Sequence, residues 1–170
     1  MKKSKAKYAV LAGVVLSAGI LLSACGNSST GSKTYNYVYA SDPSSFNYLA
    51  ENRATTNDII TNLVDGLMEN DQYGNYVPSL AEDWSVSKDG LTYTYKLRKE
   101  AKWYTSEGEE YAPVTAKDFV TGLQYAADKK SEALYLVQES VVGLDDYING
   151  KTKDFSTVGV KAIDDQTVQY

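Results

Sequence analysis

Histidine is absent from this 170-residue chain, and cysteine occurs once. Without an imidazole there is no Ser-His-Asp triad, and the commonest general base and metal ligand is missing. A single thiol builds neither an intrachain disulfide nor a cysteine-based metal site. Also missing are a G-x-S-x-G elbow, a phosphate-binding P-loop, a G-x-G-x-x-G turn and a calcium-loop pattern. Paired acids occur at Glu109-Glu110, Asp145-Asp146 and Asp164-Asp165. Neighbours in sequence point to opposite faces of a strand and diverge by about 100° on a helix, so these pairs read as solvated acids. The chain is not expected to be an enzyme, and no cofactor or metal is expected.

Positive charge is in short supply, with 17 Lys and Arg against 22 Asp and Glu. Four of the lysines, Lys2, Lys3, Lys5 and Lys7, crowd the first seven residues; without them 13 basic side chains face 22 acidic ones, a net charge of -9. Such a surface repels phosphate, so nucleic acid is excluded as a partner. Only one long apolar run is present, at residues 8–22 (YAVLAGVVLSAGILL). It is about the length of a secretory core and shorter than the roughly 20 residues of a membrane span. It ends in Leu22-Ser23-Ala24-Cys25, which is similar to a bacterial lipobox. That resemblance implies a diacylglycerol on the Cys25 thiol and signal cleavage between Ala24 and Cys25. Acyl chains at about 0.8 kcal/mol per buried methylene anchor stably. The expected location is the cell membrane, lipid-anchored on the extracellular face. Residues 1–24 are then a signal peptide, and residues 25–33 the lipidated cysteine with a small, polar tether.

At 43% hydrophobic and 12% aromatic, with 15 Tyr against three Phe, the remainder has a globular composition. Tyr suits cores that border water and adaptable binding surfaces. Tyr35, Tyr37 and Tyr39 alternate as in a strand, which Ser41-Asp42-Pro43 ends. Over residues 56–67, Ile59, Ile60, Leu63, Val64 and Leu67 trace one face of a helix, with Thr55, Thr56 or Asn57 as its cap and Gly66 near its end. The strongest hairpin signal is Trp84-Ser85-Val86-Ser87, a two-residue Asp89-Gly90 turn, and then Leu91, Tyr93, Tyr95 and Leu97 alternating with Thr92, Thr94, Lys96 and Arg98. One face of that arm is expected to be buried and the other wet. Thr115 and Asp118 are laid out as a capping box ahead of a stripe of Phe119, Val120, Leu123, Ala126 and Ala127. A second helix is expected over residues 132–142, extended by Leu144, Tyr147 and Ile148 and stopped by Asn149-Gly150. Val158, Val160 and Ala162 alternate again, Asp164-Asp165 turns, and Val168 and Tyr170 begin a return strand. No turn residue or cap follows Tyr170, so the chain is expected to be an N-terminal piece of something longer. The element order predicts a mixed α/β body.

The run Leu80-Ala81-Glu82-Asp83-Trp84-Ser85-Val86-Ser87-Lys88-Asp89-Gly90-Leu91-Thr92-Tyr93-Thr94-Tyr95-Lys96-Leu97-Arg98 resembles the signature of the family 5 extracellular solute-binding proteins, the peptide and nickel receptors of ABC importers. Lys102-Trp103, the Pro113 to Val120 run and the Gly159 to Val168 run continue the resemblance in order. The insertion at residues 105–111 and the Ala127-Asp128-Lys129-Lys130-Ser131-Glu132-Ala133 run look most like the Ami/Ali-type oligopeptide-binding lipoproteins of Gram-positive bacteria. Two departures, Glu100-Ala101 in place of a common Gly-Val and the long loop after Trp103, fall in one surface hairpin.

The resemblance implies an α/β, periplasmic-binding-protein-like receptor of two lobes that closes around an extended peptide. Residues 34–66 would begin lobe one, 67–166 would form a small subdomain of hairpins and helices, and 167–170 would start the return strand. It further implies that Asn52, Arg53 and Ala54 form a strand-like stretch pairing with the peptide backbone, and that the Tyr135 hydroxyl faces the ligand cleft. The implied partners are an oligopeptide, ABC permease subunits and, through the lipid, the membrane; the receptor would act as a monomer. Alternatives are a receptor for another solute, such as a nickel chelate or a signalling peptide, or a surface lipoprotein acting as an adhesin or folding factor. With the second lobe missing, residues 25–170 alone are expected to bind peptide weakly or not at all.

Overall fold

Alternating strands organise the body of the chain, which the computed structural model describes for residues 36–39 and 41–170. The expectations for the signal segment, Ala24, Cys25 and the tether lie outside the described residues. Residues Tyr39–Tyr170 form one compact unit. Its elements run α1 (Ala54–Ile60), β1 (Met68–Asn70), β2 (Tyr76–Pro78), β3 (Ala81–Val86), β4 (Tyr93–Leu97), β5 (Lys102–Tyr104), β6 (Glu110–Pro113), α2 (Ala116–Asp128), α3 (Leu144–Ile148), β7 (Lys161–Asp164) and β8 (Thr167–Gln169), with 3-10 turns at Leu134–Leu136 and Phe155–Thr157. This is the mixed helix and sheet content expected, and the described strand pairs are antiparallel.

Two small hairpins, β1-β2 and β5-β6, flank a four-stranded sheet of order β3-β4-β8-β7. The sheet joins the two best sequence signals. β8 inserts between its own hairpin partner β7 and the β3-β4 hairpin, pairing Tyr95 with Val168. One face of the β4-β8 pair carries Leu97 and Val168, both fully buried, against Ala116 and Ala127 of α2 and Leu144 of α3. Complete burial of each such Leu or Val contributes about 1.5–3 kcal/mol. The alternation of the β4 arm is graded along its length. Leu97 is fully buried, Tyr95 is half-buried, and Leu91 at the hairpin tip is 78% exposed.

The capping box forms, and Asp118 does more than cap. Its carboxylate accepts the Thr115 N–H at 2.8 Å and also the Trp103 indole N–H at 3.2 Å. One side chain thereby ties the β5-β6 hairpin to the start of α2. The α2 N-terminus is tied again where Ala116 donates its N–H to the Asp165 carbonyl at 2.9 Å.

Several local expectations are corrected. Residues 36–39 are in none of the three sheets, because alternation names a face while a ladder also needs a neighbouring edge. α1 starts at Ala54 and stops at Ile60, short of the expected 56–67. Its N-cap is Arg53, which makes no side-chain cap bond, and the Thr56 hydroxyl instead donates to the Ser45 carbonyl at 3.0 Å. The helix ends early because the Asn62 side-chain amide takes the Asp58 carbonyl at 2.8 Å, the acceptor its own N–H would need. The Asp89-Gly90 pair is not a two-residue turn. Ser87 and Thr92 close the loop, Gly90 donates to the Ser87 carbonyl, and Gly90 rather than Asp89 takes the left-handed conformation at φ +74. Ala162 does not continue the buried alternation of Val158 and Val160, since β7 is exposed along its length.

No α-helix forms over residues 132–142. The chain there makes a 3-10 turn and a mixture of i to i+3 and isolated i to i+4 bonds, in keeping with a run that holds three valines and Ser140. Gly143 then breaks the expected continuation. It sits at φ +73, and a Cβ there would lie 2.6 Å from the Thr157 carbonyl oxygen. α3 starts afresh beyond it, and Gly150 stops it at φ +72 as expected.

Candidate functional site

The end of α2 is an unusual turn. Lys129 closes the helix, and Lys130 adopts a left-handed conformation at φ 52, the one described non-glycine residue to do so. The Lys130 N–H returns to the Ala127 carbonyl at 3.0 Å and the Ser131 N–H to Ala126 at 2.9 Å. This is a Schellman motif with a lysine where glycine is favoured, at a cost of about 1 kcal/mol or more. Ser131, 7% exposed, then accepts the Ala133 N–H on its hydroxyl at 3.2 Å. The turn delivers Glu132 to the surface, three residues ahead of Tyr135.

Glu132 meets the stretch that precedes α1. Its own N–H donates to the Ala50 carbonyl at 3.0 Å. One carboxylate oxygen, Oε2, accepts the Asn52 main-chain N–H at 3.1 Å, and the other, Oε1, accepts the Arg53 guanidinium at 3.1 Å. Nearby, Asn47 donates its side-chain amide to the Tyr125 hydroxyl at 2.9 Å, a second tie from this stretch to α2. The Asn52 side chain turns back and accepts from Asn57 at 2.8 Å.

The structure therefore brings Asn52 and Arg53 to the turn that bears Tyr135, with Glu132 as the link. Arg53 is extended (φ -106, ψ 135), as a strand-like stretch requires, whereas Ala54 is already the first residue of α1. The Asn52 amide is engaged by Glu132, so a ligand cannot use it while that bond holds. Tyr135 is 65% exposed, on the 3-10 turn that buried Leu134 pins down. Sequence reasoning missed Glu132 and the strained Lys130. Neither belongs to a periodic stripe, and the Glu132 partners lie 79 and 80 residues away.

A larger groove of about 620 Å³ runs beside α2, lined by Leu49, Val64, Leu80, Phe119, Tyr125 and Tyr170 among others. Burial raises the Tyr170 hydroxyl to about 12, with Tyr95 packed edge-on at 6.3 Å adding to the effect. Among the described residues no group of His, Cys, Asp and Glu could hold a metal ion, and no helix is long and apolar enough to cross a membrane.

The candidate site thus combines an antiparallel sheet backed by a capped helix with a main-chain stretch pinned near an exposed tyrosine. The model of the bacterial extracellular solute-binding proteins, family 5, matches residues 75–170, and the chain belongs to that family. It is 84% identical over 170 residues to the oligopeptide-binding protein AliB of Streptococcus pneumoniae, covering all of this chain and 26% of that relative. The oligopeptide-binding protein AliA of the same species is 65% identical over 173 residues, with the same shares of the two chains covered. The chain thus spans about a quarter of the length of these relatives. Among solved structures, Haemophilus influenzae OppA in complex with the peptide RPPGFSPFR matches with a TM-score of 0.65 and 34% identity, over 75% of this chain and 24% of that one. The fold class read from the sequence is the one these proteins carry.

Proposed function

We propose that this chain is part of a receptor that captures oligopeptides outside the cell and delivers them to an ABC permease. What supports this reading is the extended Arg53 and the pinned stretch before it, beside an exposed tyrosine, in a chain whose near relatives are named for oligopeptide binding. Asn52, Arg53, Ala54 and Tyr135 border the peptide path in this proposal. Main-chain groups recognise what every peptide shares, so side-chain sequence matters little. The receptor binds without chemistry of its own, and ATP hydrolysis belongs to its partners.

Residues 1–24 act as a signal peptide, Cys25 carries lipid, residues 25–33 are the tether, and the receptor works as a monomer on the extracellular face. Residues 34–66 and 167–170 belong to lobe one, and residues 67–166 to the small subdomain.

The test is native mass spectrometry of an intact receptor carrying this sequence without residues 1–25, purified from cells. A ladder of co-purifying peptide masses is expected. A clean mass that stays unliganded with a random nonapeptide library overturns the reading and favours another solute or an adhesin.

A further inference from the structure

We infer that Glu132 is a positioning residue for peptide capture, fixing residues 50–53 in the conformation that the ligand meets. This deepens the peptide-receptor reading and rests on it. Three groups of Glu132 hold that stretch: its N–H on the Ala50 carbonyl, Oε2 on the Asn52 N–H and Oε1 on the Arg53 guanidinium. The two halves of the carboxylate are thus split between a main-chain and a side-chain donor. The sole ion pair in this set is exposed, with side-chain exposures of 61% for Arg53 and 48% for Glu132. Exposed pairs of this kind add little to folding stability. Their geometric effect is larger, because residues 50–53 carry no sheet partner and meet α1 only through the Asn52 side chain on Asn57 and through Arg53 as the N-cap.

The turn that presents Glu132 is itself held in a strained state. Lys130 at φ 52 closes the Schellman motif, and buried Ser131 locks the next residues. Rigid presentation of an acid to a stretch outside the sheets is preorganisation: the ordering cost is met during folding rather than on ligand binding. Without the carboxylate, the Asn52 N–H and the Arg53 guanidinium lose the acceptor that fixes them, their ordering falls to the peptide, and affinity falls.

The test compares Glu132→Ala and Glu132→Gln with the unaltered protein in an intact receptor carrying this sequence. The bound fraction is read against concentration of a random nonapeptide library, and melting temperatures are measured alongside. We expect Glu132→Ala to bind about tenfold more weakly with an unchanged melting temperature. Glu132→Gln keeps an oxygen for the Asn52 N–H and is expected to stay within about threefold of the unaltered protein. Faster hydrogen exchange at the Asn52 amide in Glu132→Ala accompanies the loss. Unchanged binding by Glu132→Ala overturns the inference. Tighter binding does so too, since Glu132 would then compete with the peptide for the Asn52 amide. So does a parallel fall in melting temperature and affinity in both variants, which would make the role structural only. An unaltered receptor that binds no library member defeats the peptide-receptor reading itself.

Discussion

α2 and α1 were both expected from the spacing of apolar residues, yet they are held in opposite ways. α2 has its capping box, its Schellman end and two buried alanines facing the sheet, and it spans Ala116–Asp128 almost as its stripe implies. α1 has no side-chain cap, a single buried residue in Thr56, and seven residues where twelve were expected. Leu63, on the stripe intended for burial, is 69% exposed. The stretch around α1 is fastened by polar bonds to the α2 end, through Glu132 and Tyr125, more than by apolar packing. A helix capped at both ends and packed on a buried sheet keeps its expected length, and one without a side-chain cap or a buried apolar face does not.

Substitutions on the two sides of this contrast should separate widely. Leu97→Ala, in the fully buried centre shared by β4 and α2, is expected to cost about 2–5 kcal/mol, read by urea denaturation. A cost below about 1 kcal/mol would mean that the sheet and helix are not the stable half. Gly143→Ala should come next, at roughly 2–3 kcal/mol, because the new methyl meets the Thr157 carbonyl as well as the left-handed backbone. Gly150→Ala has the same backbone penalty in open space and should cost only about 1 kcal/mol, which isolates the steric part.

Alkaline pH offers a test without mutation. The Tyr170 hydroxyl is raised from 10.0 to about 12, chiefly by burial. The folded form therefore holds its proton where the unfolded chain releases it. The stability is fully present below about pH 10 and is lost as pH rises toward 12, by up to about 2 kcal/mol. A stability profile flat from pH 9 to about 12 would contradict the buried environment of Tyr170. The smallest effect is expected on the α1 side: Leu63→Ala should change stability by no more than about 0.5 kcal/mol. A cost near that of Leu97→Ala would show that the two helices are held alike.

Legibility followed the same division. The β3-β4 arms, the Thr115-Asp118 box, the Asn149-Gly150 stop and the β7-β8 turn each close within a few residues, so side-chain chemistry along the chain was enough to find them. The failures cluster where a competing side chain or a distant backbone decided the outcome. Asn62 took the carbonyl that would have continued α1, and valines with Gly143 broke the expected helix over residues 132–142. Of the candidate site, Asn52, Arg53 and Tyr135 came from a family likeness, and the acid that joins them came from the structure.

By itself, then, the sequence determined the mixed architecture, the paired hairpins, the capped helix and the family. The first three rest on turn geometry, capping and alternation, all of which act over a handful of residues, and the family on the resemblance carried by the Leu80 to Arg98 run and the runs that follow it. Only the tertiary structure decided that β8 lies between β4 and β7, and that Glu132 clasps a stretch some 80 residues earlier in the chain. Bonds across that separation depend on where the α2 end and the stretch before α1 come to rest in one compact unit, which no local spacing encodes.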